Sequence, residues 1–576
     1  MKAYEKEYQR WLASDALTDA EREELIKIAD DEEAKALRFS ALMDFGTAGL
    51  RSTMYLGIGN MNRFTVAQTT RGIATLVKLR GGESRGVAIC YDSRNNSEAF
   101  AKISASVLAG AGIKVYIFDS LRPTPELSFA VRELNTLAGI NITASHNPKE
   151  YNGYKAYWED GAQLAPEQAT IVSEERAKFD VLDLSGLMDF DEACEKGIVE
   201  ILSSDFDELY LSKVLKTMSN PNVVREVSDE LKVVYTPLHG AGHKLVPEVF
   251  KKLGLKHLYT VPEQMVIDGN FPTVAKPNPE YPEVFELGIK IANEVGSDLV
   301  IATDPDSDRV GVMTRTKDGS FATISGNQMG ALLLDYVISQ KKALGTITKN
   351  AYAVKSIVST EMVNKIAEEN GIKLHAVLTG FKFIGEVIKN YEARGEEDGF
   401  LLGFEESYGY LLGSYARDKD AVGASMSILE MTAYYKKQGL TLSDALENLY
   451  KKYGFFKEKT IDIYMEGLDG IERRKKVMSF LRDNAPKSFG DYIVKYATDY
   501  KASTVTELSS GNVSELSEPK SDVLIYQLEN GDKIIVRPSG TEPKIKIYIL
   551  AHDADKSALD EKCELYAERA RKLADI

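Results

Sequence analysis

One phrase recurs three times in this chain and narrows the folds open to it. A helical segment ends near a glycine, followed by Ile or Leu, then Lys, then an apolar stretch: Gly112-Ile113-Lys114, Gly254-Leu255-Lys256 and Gly371-Ile372-Lys373. A glycine just past a helix C-terminus takes the left-handed backbone that a Cβ disfavours, and the run behind it has the character of a buried strand. The intervals between the copies are domain-sized, much longer than solenoid periods. The pattern therefore predicts several related α/β domains. In the first, Gly86-Val-Ala-Ile-Cys-Tyr91 reads as a strand, residues 97 to 111 as a helix and Val115 to Phe118 as the next strand, a βαβ unit.

The two ends differ from this middle. Residues 1 to 40 read as two amphipathic helices, with Tyr4, Tyr8 and Trp11 on one stripe and a capping box from Thr18 to Glu21 opening the second. After about residue 455 come Asp522-Val-Leu-Ile-Tyr526, Lys533-Ile-Ile-Val-Arg537 and Lys544-Ile-Lys-Ile-Tyr548, with a tight Asn530-Gly531 turn and a helix from Lys556 onward. Successive strands with tight turns predict an antiparallel sheet under a covering helix. The polar stretch Ser503 to Lys520 reads as a long surface loop.

Charge and cysteines exclude several classes. With 71 basic against 87 acidic residues the net charge is −16, so the overall field repels polyanions and argues against a nucleic-acid or anionic-membrane partner. Cys90, Cys194 and Cys563 are odd in number and far apart, which fits neither a disulfide framework nor a thiolate zinc site and predicts a reducing, cytoplasmic setting. The N-terminal stretch lacks the apolar core of a signal peptide, and no run of ~18 apolar residues is present to span a bilayer.

Four loops carry chemistry. Thr143-Ala-Ser145-His146-Asn-Pro-Lys149, followed by Lys155, places a hydroxyl, an imidazole and cations together, as phosphoryl acceptance requires. Leu299-Val-Ile-Ala-Thr-Asp304-Pro-Asp306-Ser-Asp308-Arg309 delivers three alternate carboxylates at a strand end, where hard oxygen ligands suit Mg²⁺ or Ca²⁺; an EF-hand is excluded because Arg309 and Arg315 stand where its glycine and glutamate belong. Gly403-Phe-Glu405-Glu406-Ser407-Tyr-Gly409, followed by Arg417-Asp-Lys419-Asp420, offers a carboxylate and a hydroxyl suited to vicinal sugar hydroxyls. Arg537-Pro-Ser539-Gly540-Thr541 joins a guanidinium fork to a hydroxyl-bearing glycine turn, a phosphate cradle. Each loop alone also has a plain structural reading as a capped helix start, solvated acids or a decorated turn.

Together, and in this order, the loops resemble those of the α-D-phosphohexomutase family from about Phe45 to near the C-terminus. Phe45-Gly-Thr-Ala-Gly-Leu-Arg51 is similar to that family's opening strand, whose arginine faces the active serine. The resemblance implies four domains around a central cleft: three related α/β domains with mixed sheets, and a C-terminal α+β domain with an antiparallel sheet. The expected division is 1–200, 201–318, 319–450 and 451–576. It implies transfer of a phosphoryl group between the 1- and 6-positions of a hexose phosphate through phosphorylated Ser145 and a bisphosphorylated sugar. Mg²⁺ would be held by Asp304, Asp306, Asp308 and a phosphate oxygen on Ser145, with Arg51 and Arg309 supporting the group in flight. Lys155, His146 and Lys419 would handle protons; Glu405 and Ser407, with Lys419, would hold the sugar; Arg537, Ser539, Gly540 and Thr541 would hold the distal phosphate.

The sugar loop resembles the glucose branch, because Glu406 and Gly409 stand where the branch that takes mannose and glucose alike usually has Met and His. That implies interconversion of glucose 1-phosphate and glucose 6-phosphate, with glucose 1,6-bisphosphate as intermediate and activator. The long N-terminus also resembles a subgroup that includes phosphopentomutases, which leaves ribose or deoxyribose 1-phosphate as an alternative, with mannose phosphate another. From other classes, a sugar-phosphate phosphatase would share the acidic cluster, and a sugar-phosphate binding protein would share the cradle.

Overall fold

In the computed structural model of the chain, which describes residues 2–46, 49–465, 467–539 and 544–574, each recurring glycine closes a helix and hands over to a strand. Gly112, Gly254 and Gly371 have φ of 78°, 89° and 68°, the left-handed region that glycine enters at no steric cost. They lead to the second parallel strand of three sheets built on one plan, an edge strand in the second and third.

The first sheet holds β1 (Leu50–Thr53), β2 (Val87–Tyr91), β3 (Val115–Phe118), β4 (Ala138–Ile142), β5 (Tyr151–Trp158) and β6 (Val199–Leu202), ordered β1-β5-β4-β2-β3-β6. The second holds β7 (Lys232–Thr236), β8 (His257–Thr260), β9 (Leu299–Thr303), β10 (Val310–Arg315) and β11 (Phe321–Ile324), ordered β11-β10-β9-β7-β8. In the third, β12 (Tyr352–Ser356), β13 (Lys373–Val377), β14 (Phe400–Glu405) and β15 (Gly409–Leu411) are ordered β13-β12-β14-β15. The common part is the same each time: three parallel strands, the first in sequence lying in the middle, and a fourth antiparallel to the third. These are the mixed sheets that the α/β expectation called for. The second sheet runs past residue 318 to Ile324, because β11 pairs antiparallel with β10.

The fourth sheet is antiparallel throughout: β16 (Phe455–Tyr464), β17 (Ser488–Phe489), β18 (Tyr492–Asp499), β19 (Thr504–Glu507), β20 (Val513–Glu515), β21 (Leu524–Leu528), β22 (Lys533–Pro538) and β23 (Lys544–Asp553), with the helix Lys556–Arg571 against it. The stretch expected as a long loop at 503 to 520 instead contributes β19 and β20, whose side chains are partly or fully exposed, so backbone pairing rather than apolar burial holds them. Ile357, Val358 and Leu378 of the third unit pack on Ile535, Tyr548 and Leu550 of the fourth.

Residues 3 to 39 form three helices, Ala3–Leu12, Asp19–Ile26 and Glu32–Phe39, one more than the pattern suggested. The Thr18–Glu21 capping box is present, and Asp31 caps the additional helix through the Ala34 N–H. Trp11, Tyr8 and Phe39 bury themselves against Phe64 and Leu56 of the first unit. Among the described residues no helix is long and apolar enough to cross a membrane.

A single apolar core joins the first three units, and the helix Ala421–Lys437 runs through it almost wholly buried. Its N-cap, Asp420, accepts from the N–H groups of Val422 and Gly423 at 2.8 and 2.9 Å and from Tyr210 Oη at 2.8 Å, which satisfies the helix start inside the protein. Further along, Glu430 is 1 % exposed and accepts from Tyr336 Oη at 2.9 Å and from the Asn220 N–H. Burial raises its carboxyl from 4.5 to about 7. A carboxyl whose folded pKa lies above its unfolded value stabilises fully below the unfolded pKa and loses that contribution as pH rises through the folded one. Glu430→Gln should therefore match the parent in urea unfolding near pH 4 and exceed it near pH 8, by up to about 3 kcal/mol.

Candidate active site

Three of the four chemistry-bearing loops occupy one equivalent place. Residues 143–150 join β4 to β5, 304–309 join β9 to β10, and 406–408 join β14 to β15: in each unit, the turn between the third strand and its antiparallel partner. Each turn holds one residue other than glycine in the left-handed region, Ser145 (φ 52°), Ser307 (φ 52°) and Tyr408 (φ 66°). Such a residue costs on the order of 1–3 kcal/mol, so the surroundings must impose it.

Around Ser145 they do so with a buried arginine. Arg94 donates to the carbonyls of Ser145 and Asn147, both at 2.5 Å, of Pro148 at 2.9 Å and of Tyr151 at 3.1 Å, while its Nε lies 3.2 Å from Asp92. Asp92 in turn accepts from Thr143 Oγ1 at 2.6 Å, and Thr143 Oγ1 accepts the Ser145 N–H at 2.8 Å. Ser145 Oγ thus points at Asp304 Oδ2, 2.8 Å away, with His146 Nδ1 at 3.1 Å. Burial, then the charges of Arg309 and Arg51, holds His146 well below its usual pKa, so the ring is neutral at physiological pH. Arg51, on β1, donates to Asn147 Oδ1 at 3.0 Å, joining the loop two residues beyond the serine.

Asp304, Asp306 and Asp308 are 0 %, 0 % and 2 % exposed, and one oxygen from each lies within 4.8 Å of the others. Burial and then the negative charges of Asp306 and Asp308 push Asp304 well above the usual carboxylate range. Burial also opposes ionisation of Asp308, but Lys419, Lys155 and Arg309 outweigh it and hold that carboxyl down. Lys155 Nζ lies 2.7 Å from Asp306 Oδ2 and 3.3 Å from Asp308 Oδ2; Lys419 Nζ lies 3.2 Å from Asp308 Oδ2 and 2.9 Å from Asp418 Oδ1. Although burial disfavours their charge, the adjacent acids keep both ammonium groups protonated. Asp306 Oδ1 and Asp308 Oδ1 are buried without a hydrogen-bond partner. Orphaned carboxylate oxygens converging with a third carboxylate are the donor set that a hard divalent cation satisfies.

Arg309 pairs with Glu280 at 2.5 Å, and its backbone N–H donates to Asp304 Oδ1 at 3.0 Å. On the third turn, Glu405 Oε1 accepts the Gly380 N–H at 2.6 Å, and Ser407 is half-buried at the tip. Glu406 turns elsewhere: its Oε2 accepts from Ser356 Oγ at 3.1 Å, and burial plus the charge of Glu405 raises its carboxyl to about 6 against the pull of Arg537. Arg537, at the end of β22, approaches from the fourth unit beside Ser539, whose N–H donates to the Lys544 carbonyl at 2.9 Å. Gly540 and Thr541 lie outside the described residues.

Four residues in this centre escaped sequence reasoning. Besides Arg94, Thr124 donates through Oγ1 to Asp306 Oδ2 at 2.8 Å, Asp418 receives Tyr157 Oη at 2.7 Å while gripping Lys419, and Glu280 anchors Arg309. The signal for Arg94 was its place in Asp92-Ser-Arg94, directly after an apolar strand, at the carboxyl end where α/β sheets put ligands.

Phosphoglucomutase/phosphomannomutase α/β/α domains I, II and III match residues 42–180, 208–319 and 325–453, and that family's C-terminal domain matches 497–562. A phosphoglucomutase of Staphylococcus aureus is 38% identical over 518 residues, 89% of this chain and 90% of the relative. One of Staphylococcus saprophyticus is 37% identical over 520 residues, 90% and 92% respectively. Among solved structures, a phosphoglucomutase/phosphomannomutase family protein of Burkholderia thailandensis superposes with TM-score 0.66 at 20% identity, covering 92% of this chain and 97% of that one. Paramecium parafusin, a phosphoglucomutase, superposes with TM-score 0.65 at 17% identity, covering 92% and 94%.

Replacing Arg94 by Ala would leave four loop carbonyls and a buried aspartate without their cation. Breaking a buried pair of this kind costs about 3–5 kcal/mol, and a loop misplaced by an ångström costs about a hundredfold in rate. Arg94→Ala should lower thermal stability by that order and turnover by about a hundredfold, measured on the same preparation.

Proposed function

The chain belongs to the phosphoglucomutase/phosphomannomutase family, and from that premise we propose that it interconverts α-D-glucose 1-phosphate and glucose 6-phosphate through a phosphorylated Ser145 and a glucose 1,6-bisphosphate intermediate. It is an enzyme of the isomerase class, an intramolecular phosphotransferase. The observation that carries the proposal is the buried Ser145 Oγ, 2.8 Å from Asp304, where its turn meets the turn whose three carboxylates are paired by Lys155 and Lys419.

Mg²⁺ held by Asp304, Asp306 and Asp308 would neutralise charge on the phosphoryl group in transfer. The remaining work falls to the chain. Neutral His146 sets the direction of the Ser145 hydroxyl through Nδ1. Lys155 and Lys419, both held as ammonium beside Asp308 Oδ2, supply positive charge to the oxygens in transfer. They relay the proton that the sugar hydroxyl gives up on gaining the phosphoryl group to Ser145 Oγ as its bond to phosphorus breaks, the proton returning in the reverse half-reaction. Arg309 and Arg51 flank the same turn. Glu405 and Ser407 take the sugar hydroxyls, and Arg537, Ser539, Gly540 and Thr541 take the phosphate that is not reacting. Ser145 is 3 % exposed, which favours retention of a phosphoryl group over its loss to water and so favours a mutase over a phosphatase.

Glucose as the sugar is supported by the Glu406 and Gly409 loop and by the names of the relatives at 37 to 38% identity. A cytoplasmic setting is supported by the three unpaired cysteines, of which Cys90 and Cys563 are buried. The proposed units meet near residues 200, 325 and 450, the middle junction placed after β11.

Incubation with glucose 1-phosphate tests the reading: the 6-phosphate is expected, free phosphate would indicate a phosphatase, and a larger kcat/KM with ribose 1-phosphate or mannose 1-phosphate would reassign the sugar. Ser145→Ala should abolish turnover and remove the phosphate seen in the intact mass, while chelation should stop the wild type until Mg²⁺ is returned. Arg537→Ala removes a charge-assisted bidentate contact and should raise KM for both glucose phosphates by about ten- to a hundredfold.

A further inference from the structure

Gly409 lies directly opposite Glu405 in the β14–β15 pair. Its φ is not positive, so the backbone there would accept any L-residue without the strain that reserves other turns for glycine. Space is the constraint instead. A Cβ at this position would stand 2.1 Å from Lys419 Cδ, 2.7 Å from Cγ and 3.4 Å from Cε. The aliphatic stem of Lys419 therefore passes through the volume that any other residue at 409 would fill.

The far end of the side chain is held on three sides. The ammonium sits between Asp418 Oδ1 at 2.9 Å and Asp308 Oδ2 at 3.2 Å, and 5.5 Å from the centre of the Phe381 ring. Asp418 is itself fixed by Tyr157 Oη at 2.7 Å and Gln163 Nε2 at 3.3 Å, both from the first unit. The next residue, Asp420, caps the buried helix. The stem is thus held at its backbone and at its charged end, and between them it runs through the space beside Gly409.

We infer that Gly409 is a positioning residue for Lys419: by lacking a side chain it opens the passage that lets the ammonium reach Asp308 and Asp418, and a side chain at 409 and a lysine at 419 exclude each other. This rests on the proposed function only in its kinetic part, because the steric coupling is a property of the packing.

The test is a double-mutant cycle with Gly409→Ala, Lys419→Ala and the double variant, read by kcat and KM for glucose 1-phosphate and, separately, by urea unfolding. Gly409→Ala is expected to lower kcat by about a hundredfold with KM changed less than about threefold, the mark of a displaced reacting group rather than a lost binding surface. In the Lys419→Ala background the same change should alter neither kcat nor the unfolding midpoint, since the stem is gone. A Gly409→Ala enzyme within threefold of wild-type kcat would overturn the inference, as would a loss that persists in full on top of Lys419→Ala. If Gly409→Ala fails to fold, the double variant must fold as well as Lys419→Ala; if it does not, the inference also falls. Should the wild type leave glucose 1-phosphate unchanged, the proposed reaction fails alone, and additive midpoint shifts in the unfolding cycle would overturn the coupling independently.

Discussion

Three carboxylates buried in one six-residue turn are the constraint on which the rest of this protein depends. Withdrawing a single carboxylate from water costs several kcal/mol even after relaxation, and neighbours of like sign add to it. Asp304, Asp306 and Asp308 can stay buried only if cations come to them, and the second unit supplies just Arg309 among the groups on its own turn. Lys155 comes from β5 of the first sheet and Lys419 from the segment after the third. Backbone contacts follow the same route: the Thr124 N–H donates to the Asp306 carbonyl at 2.8 Å, the Ala421 N–H to Ser307 at 3.2 Å and the Val310 N–H to Tyr408 at 3.1 Å. Charge balance thus ties three units together at the turn, and the shared apolar core forms around that contact.

Repetition of the sheet explains why three loops meet there at all. When the third strand of each unit runs parallel and the fourth returns antiparallel, the chain must reverse at the carboxyl end of the sheet, where backbone groups are unpaired and ligands can approach. One left-handed residue in each reversal keeps it short, so side chains on either side project from nearly fixed positions. The fourth unit, antiparallel throughout, has no parallel strand pair among its described residues. It contributes from the end of β22 instead, pressing Arg537 toward Glu406 across an apolar seam with the third unit.

Much of this was legible because it is local. The recurring glycines mark helix ends by backbone conformation alone, the strand runs by their apolar content, and the four loops by residue types that phosphoryl chemistry needs in close succession. What escaped reading depends on partners distant along the chain: Thr124 meets Asp306 across 182 residues and Tyr157 meets Asp418 across 261, so neither pairing leaves a pattern in its own neighbourhood. β19 and β20 were invisible for another reason. Their side chains are largely in water, so no alternation records the pairing. The third N-terminal helix sits behind an acidic run, Asp30 to Glu33, in which Asp31 acts as its cap.

Lys419 shows how stability and chemistry come to share residues here. A lysine on a surface loop would reach an acidic centre as one of many rotamers and lose about 2 kcal/mol of freedom in doing so. This one precedes the N-cap of a helix buried along nearly its whole length, so its backbone is set by core packing before its side chain meets any charge. The stem then runs beside a glycine that leaves room for it, and the ammonium ends between two carboxylates from different units. Core, turn and neighbouring unit each remove part of the same conformational freedom. Displacing any one of them therefore moves the ammonium relative to the three buried carboxylates without altering the acidic turn itself.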